Sequence, residues 1–165
     1  MSSIQIREAT AEDWHAIWPF LREIVAAGET YTLPRDIGED QAREMWMAEP
    51  EHTVVAVDAD CAVLGSAKMG ANHSGPAAHI ATASFMVDPA RGRRGVGRAL
   101  GEYSLEWATA QGYRAMQFNA VVETNVGAVA LWRSLGFAVI GTLPAAFEPP
   151  RRATWGCTSC TAASG

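Results

Sequence analysis

The 165-residue chain is predicted to form one mixed α/β domain, a central sheet with helices packed on its faces. Three observations predict it. The length suits a single domain with a real core, and 48% of the residues are apolar. Short alternating segments are interleaved with segments of helical period, with no internal repeat and no linker. One strand runs through a glycine- and arginine-rich turn straight into a helix, at Val87-Asp-Pro-Ala-Arg-Gly-Arg-Arg-Gly-Val-Gly-Arg-Ala-Leu100.

The elements follow in order. Ile4 to Glu8 alternates apolar and polar and reads as a strand. Thr10 is placed as the N-cap of a helix, with Glu12 and Asp13 in its first turn. Trp14, Ile17, Trp18, Leu21, Ile24 and Val25 give that helix one apolar face, and Gly28 ends it. Pro19 lies inside the pattern and is expected to kink or split it. A loop covers 29–38, and a second helix runs from Glu39 to Ala48. Thr53 to Val57 and Ala62 to Met69 are strands joined by a hairpin signal at Asp58-Ala-Asp60. Cys61 beside it is read as a small buried hydrophobe. After a polar loop at 71–78 come the strand Ala81 to Val87 and the helix Gly95 to Ala110. Tyr113 to Val121 is a strand, Thr124-Asn125 starts a short helix, and Phe137 to Leu143 is a strand.

Composition excludes several classes. A net charge of −5 argues against nucleic acid as the main partner. No apolar run approaches the roughly 18 residues that span a bilayer, and the N-terminus lacks a signal-like apolar region, so a cytoplasmic protein is expected. Cys157 and Cys160 make one C-x-x-C, too few ligands for a zinc site, and no metal is expected.

The turn after Val87 carries the chemistry. A glycine turn leading into a helix N-terminus exposes backbone N–H groups and the positive end of the helix dipole, which suits an anion. Arg91, Arg93, Arg94 and Arg98 crowd the same turn against an acidic background. A Walker A loop is excluded because no lysine follows Gly97, and a dinucleotide fingerprint because position 100 is leucine. A phosphate-bearing ligand is therefore expected at Arg91, Gly92, Arg93, Arg94, Gly95, Val96, Gly97 and Arg98.

These residues, with Asn125, Ala128 and Leu135-Gly136-Phe137 further on, resemble the GCN5-related N-acetyltransferase family over about residues 4–143. The segments Gln117 to Asn125 and Gly28-Glu-Thr-Tyr31 are similar to the branch that acetylates azetidine-2-carboxylate and other proline analogues. The resemblance implies a mostly antiparallel sheet in the acyl-CoA N-acyltransferase fold. It implies that acetyl-CoA is the cosubstrate and a small amino acid or analogue the acceptor, with a homodimer common in the family. Its pantetheine arm would slot between splayed strands near Met86 and Val87, with Asn125 and Trp132 beside it. Asn119, with Asn125, would hold the acceptor carboxylate, and Thr82 and Tyr31 would line its pocket. Glu29 and Glu123 are candidate bases, because an incoming ammonium must lose a proton.

Three positions depart from the family pattern. Gly92 stands where the turn usually has arginine or glutamine, Trp132 where a tyrosine acid is common, and Thr82 where this branch often has asparagine. Two other readings stay open: a non-catalytic acyl-CoA binding module, and an acetyltransferase acting on protein amines. Residues 144–165 read as an irregular tail in which 148–165 show no strand alternation, so the family's last strand is expected to be missing. A shifted reading frame restores alternation over 152–164, so the tail reads either as a frame-shifted terminus or as an unstructured one.

Overall fold

The computed structural model describes residues 4–50, 52–92 and 95–150, and the backbone of 155–163. Seven strands form one sheet: β1 (Gln5–Glu8), β2 (His52–Val57), β3 (Val63–Ala71), β4 (Ile80–Val87), β5 (Ala115–Val122), β6 (Ala138–Phe147) and β7 (Trp155–Ala163). Their spatial order is β1-β2-β3-β4-β5-β7-β6, and every neighbouring pair is antiparallel except β4 and β5. Helices α1 (Trp14–Ala27) and α2 (Glu39–Arg43) cover one face, and α3 (Val96–Ala110) and α4 (Val126–Ser134) the other.

The expected missing strand is present. The backbone of 155–163 inserts as β7 between β5 and β6, and β6 itself runs on to Phe147. Alternation was a poor guide here because backbone ladders on both sides hold the segment, and those bonds do not depend on side-chain pattern. Residues 151–154 and 164–165 lie outside the described residues.

Two local expectations are also corrected. Pro19 does not split α1, which runs unbroken from Trp14 to Ala27. Proline removes the bond to the carbonyl four residues back. Here that carbonyl belongs to exposed His15 and can be solvated, while Ile17, Phe20 and Leu21 stay buried and hold the helix to the sheet. Cys61 is exposed, with φ 62°, because it occupies the left-handed position of the β2–β3 turn. In that turn Asp58 Oδ1 accepts from the N–H groups of Asp60 and Ala62.

The start of α1 is tied to β1 by charge. Asp13 accepts two 2.7 Å bonds from the Arg7 guanidinium, and bonds from the Thr10 N–H and hydroxyl. Arg7 and these Thr10 donors bring its pKa down to about 2, against a smaller opposing effect of burial. A carboxylate depressed on folding stabilises the native state above its ordinary value, and that contribution disappears as pH falls from about 4 to about 2. The Tm difference between wild type and Asp13→Asn is therefore expected to be constant near neutral pH and to shrink below pH 4 or so. A pH series of thermal melts checks it, and a difference that persists unchanged to pH 2 or so would contradict the assignment.

Side chains from both faces form the core. Ile17, Leu21, Trp46, Val55 and Met86 are buried under α1 and α2. Val96, Leu100 and Met69 lie under α3, and Phe118, Trp132 and Phe137 under α4. Among the described residues no helix is long and apolar enough to cross a membrane.

Candidate active site

The site is a consequence of incomplete pairing. Strands β4 and β5 are in parallel register only at Ile80 with Ala115 and Ala81 with Met116. Beyond these rows they separate, and a cavity of about 580 Å³ passes through the sheet. From the α3–α4 side it is lined by Gly97, Asn125, Ala128, Leu131 and Trp132. From the α1–α2 side it is lined by Thr30, Tyr31, Leu33, Met45 and Lys68. Two ligands can thus meet inside it from opposite faces.

The β3–β4 register decides which amides of β4 are free. The N–H of Asp88 donates to Leu64 O at one end, and the N–H of Asn72 to Ile80 O at the other. Alternation between these points turns the amides of Ser84 and Met86 towards β3, and those of Phe85 and Val87 into the cleft. Of Met86 and Val87, the two residues expected beside the pantetheine arm, Val87 presents its N–H to the cleft and Met86 does not, although both line the cavity. Tyr31 closes the same row, its hydroxyl donating to Phe85 O at 2.6 Å. Burial pushes this phenol well above its ordinary pKa, only partly offset by the bond to Phe85, so it is a fixed strut and not an acid.

The anion cradle lies at the other end of Val87. Asp88 Oδ1 accepts from the N–H groups of Ala90 and Arg91, and Gly92 N–H returns to Asp88 O at 2.6 Å. A Cβ at Gly92 would collide with Asp88 O and Val87 Cγ1, so the turn is tight enough to require glycine. Gly95 has φ 101° and caps α3. The first intrahelical bond is Ala99 N–H to Gly95 O, which leaves the amides of Val96, Gly97 and Arg98 in the orphan first turn. Arg93 and Arg94 lie outside the described residues. Arg91 is exposed at the rim. The Arg98 guanidinium is turned along the helix, 3.3 Å from Glu102 and 2.7 Å from Ser134 Oγ, so Arg98 contributes its backbone to the cradle while its charge is shared elsewhere.

Helix α4 is placed by its cap. Asn125 Oδ1 accepts from Ala128 N–H at 3.2 Å, so this side chain both starts α4 and lines the cleft. Trp132 is 6% exposed and packs on Phe85, Phe118 and Phe137, walling the cleft between α4 and the sheet.

On the acceptor side, β5 bulges at the needed point. Phe118 pairs with Cys160 and Val121 with Thr158, so two residues of β5, Asn119 and Ala120, face one of β7. A bulge re-aims side chains. Asn119 is exchanged with Asn72 in two amide bonds of 2.6 and 3.2 Å, and Gln117 Nε2 donates to it as well. Thr82 lines the cavity with Asn119 and Tyr31, so the three expected acceptor residues come together. Asn72 and Gln117 were missed, and their only sequence signal was an amide at a strand end and another two residues from Asn119.

The two candidate bases are not brought in. Glu29 and Glu123 are exposed and neither lines the cavity, whose described lining holds no carboxylate or histidine. His73 and His79 are exposed as well. Lys68 is a lining residue that residue type and spacing did not single out. Helix α2 opens into a π-helical turn over Glu44–Ala48, in which Glu49 N–H reaches back to Glu44 O. The Met45 carbonyl accepts from Lys68 Nζ at 2.8 Å, and the Trp46 carbonyl from the Thr53 hydroxyl. Burial lowers the pKa of Lys68 from the ordinary lysine value, and Glu49 opposes the shift.

Comparison with known proteins agrees with this geometry. A solved structure of a GCN5-related N-acetyltransferase from Kribbella flavida is 53% identical, with a TM-score of 0.93 over 98% of each chain. A phosphinothricin acetyltransferase from Sinorhizobium meliloti, solved in complex with AcCoA, shares the fold at 24% identity and a TM-score of 0.87, over 98% of this chain and 89% of its own. The N-acetyltransferase aca1 of Schizosaccharomyces pombe is 24% identical over 139 residues, which is 75% of this chain and 66% of that protein. Residues 9–137, well over half of the chain, match the model of the acetyltransferase (GNAT) family, and the chain belongs to that family.

Proposed function

We propose that this acetyltransferase moves the acetyl group of acetyl-CoA directly to the amine of a small amino acid or analogue, such as proline or azetidine-2-carboxylate. The observation that carries the reading is the splay of β4 from β5, which leaves the Val87 amide unpaired inside a cleft open to both faces. The cradle fits a pyrophosphate, because the amides of Val96, Gly97 and Arg98 precede the first intrahelical bond and are left to donate outward. Leu131 and Trp132 line the same cavity as Gly97 and Val87, which gives a pantetheine arm an apolar wall between the cradle and β4.

The amine nitrogen attacks the thioester carbonyl carbon. A C–N bond forms, the C–S bond breaks, and sulfur leaves with the electron pair as thiolate. The Val87 N–H is aimed at the oxygen on which charge develops, and a fixed donor there lowers the barrier. Trp132 occupies the place of a phenolic acid, and Tyr31 is committed to Phe85 O. No acid is needed near neutral pH, since a thiol has a pKa of about 8.5 and its thiolate takes a proton from water. The ammonium proton is lost to water at the mouth before attack, and Glu123, next to the cavity-lining Val122, and Glu29, both outside the lining, receive it only through that water. Glu123→Gln is expected to lower kcat about tenfold near pH 7 while leaving the KM for acetyl-CoA within about twofold. An unchanged pH–rate profile would remove Glu123 from this role.

Compact acceptors follow from the walls. Tyr31, Leu33 and Met45 close the acceptor side, and one cavity of about 580 Å³ must hold both the thioester arm and the acceptor. The test is thiol release from acetyl-CoA across free amino acids, including azetidine-2-carboxylate and proline, beside calorimetric binding of acetyl-CoA. Amine-dependent release supports the reading. Tight binding without release from any amine would favour a binding module, and release with peptides alone would favour protein amines.

A further inference from the structure

Lys68 is the chain's only lysine, against twelve arginines. It is half-buried in the wall shared by the main cavity and a second one of about 240 Å³. Register places it opposite Ser84 on β4, two rows from Thr82, on the face that meets α2. Its ammonium has three protons to donate. One goes to Met45 O, in the π-helical turn that follows α2, and the Trp46 ring centroid lies 5.5 Å away. Among the described residues no ion pair includes Lys68; Glu49, which lines the second cavity with it, acts on it through space without pairing. A half-buried cation left with spare donors is costly unless an anion completes it.

We propose that Lys68 anchors the carboxylate of the acceptor and thereby selects amino acids over simple amines. The inference rests on the small-acceptor reading above and deepens it. Geometry sets the size of the acceptor. Three residues of β4, about 10 Å, separate the Lys68–Ser84 row from the Val87 amide. The thioester carbonyl, the attacking nitrogen and the Nζ-to-carboxylate contact consume most of that span. What remains suits an amine and a carboxylate separated by a few bonds. The Ser84 and Thr82 side chains lie on the same face, both lining the cavity, and can donate to the second carboxylate oxygen. Asn119 is already engaged with Asn72 and Gln117, which leaves Lys68 as the cation on this wall.

The test compares acceptors that differ only in the carboxylate: azetidine-2-carboxylate with azetidine, and proline with pyrrolidine. Wild type is expected to favour the carboxylate member by about tenfold or more in kcat/KM. Lys68→Met keeps the stem against Trp46 and is expected to lose that preference through KM, with the KM for acetyl-CoA within about twofold; Lys68→Arg should restore part of it. Equal use of both members by wild type, or a preference undiminished in folded Lys68→Met, overturns the proposal while leaving the acetyltransferase reading intact. A second measurement needs no variant. Because the chain holds one lysine, reductive methylation followed by mass spectrometry reports on Lys68 alone among side chains. Cyclobutanecarboxylate and cyclopentanecarboxylate, which lack the amine that formaldehyde would consume, are expected to slow its labelling, and cyclobutanol and cyclopentanol are not. Protection supports the anchor even if no amine releases thiol, an outcome that would defeat the small-acceptor reading instead. Identical labelling rates with and without the carboxylates overturn it.

Discussion

Gly92→Ala is expected to raise the KM for acetyl-CoA by about tenfold or more, because in the proposed function close backbone positioning of the turn holds the pyrophosphate. The added Cβ meets the Asp88 carbonyl and a Val87 methyl group. The carbonyl is backbone and accepts the Gly92 N–H at 2.6 Å, so it cannot swing aside like a side chain. The Asp88–Gly92 turn must open, which shifts Val87 and the first turn of α3 together. Steady-state kinetics varying acetyl-CoA check it, with thermal melting to confirm folding. A KM within about twofold of wild type would show that the turn relaxes at little cost.

Trp132→Ala is expected to lower Tm by about 10 °C, from a loss of roughly 3–5 kcal/mol in a domain of this size. Its ring is packed 4.6 Å from Phe85 and 4.8 Å from Phe118, centroid to centroid, and it is 6% exposed. Removing it empties the space between α4 and the sheet and also widens the cleft, so the KM for acetyl-CoA should rise. Calorimetric unfolding of both proteins decides it, and a Tm loss under about 3 °C would mean that Phe137 and Leu131 collapse into the gap. Gly101 is a related constraint, since a Cβ there would sit 2.9 Å from Trp132 and 2.8 Å from Leu135.

The glycine turn, the helix ends at Gly28 and Asn125, and six of the seven strands are legible from residue type and period, because those signals are local. Pro19 and Cys61 mislead for one shared reason. Each has a strong preference of its own, while burial of Ile17 and Leu21 in one case and the Asp58-held turn in the other decides the backbone. Strand β7 is hidden from pattern because its support comes from β5 and β6, on both sides of it. Glu29 and Glu123 stand out by their place along the chain, and chain position does not say which way a loop carboxylate faces.

By itself, the order of residues determined most of the element sequence and the glycine turn that leads from Val87 into α3, since helix caps, glycine conformations and alternation act over a few residues. Tertiary structure decided which β4 amides are free, that Asn72 meets Asn119, and that Lys68 faces the cleft under Met45. Each of these depends on strand register or on the packing of α2 across the sheet. Such long-range contacts are the sum of many weak preferences, and no single residue carries them in its type.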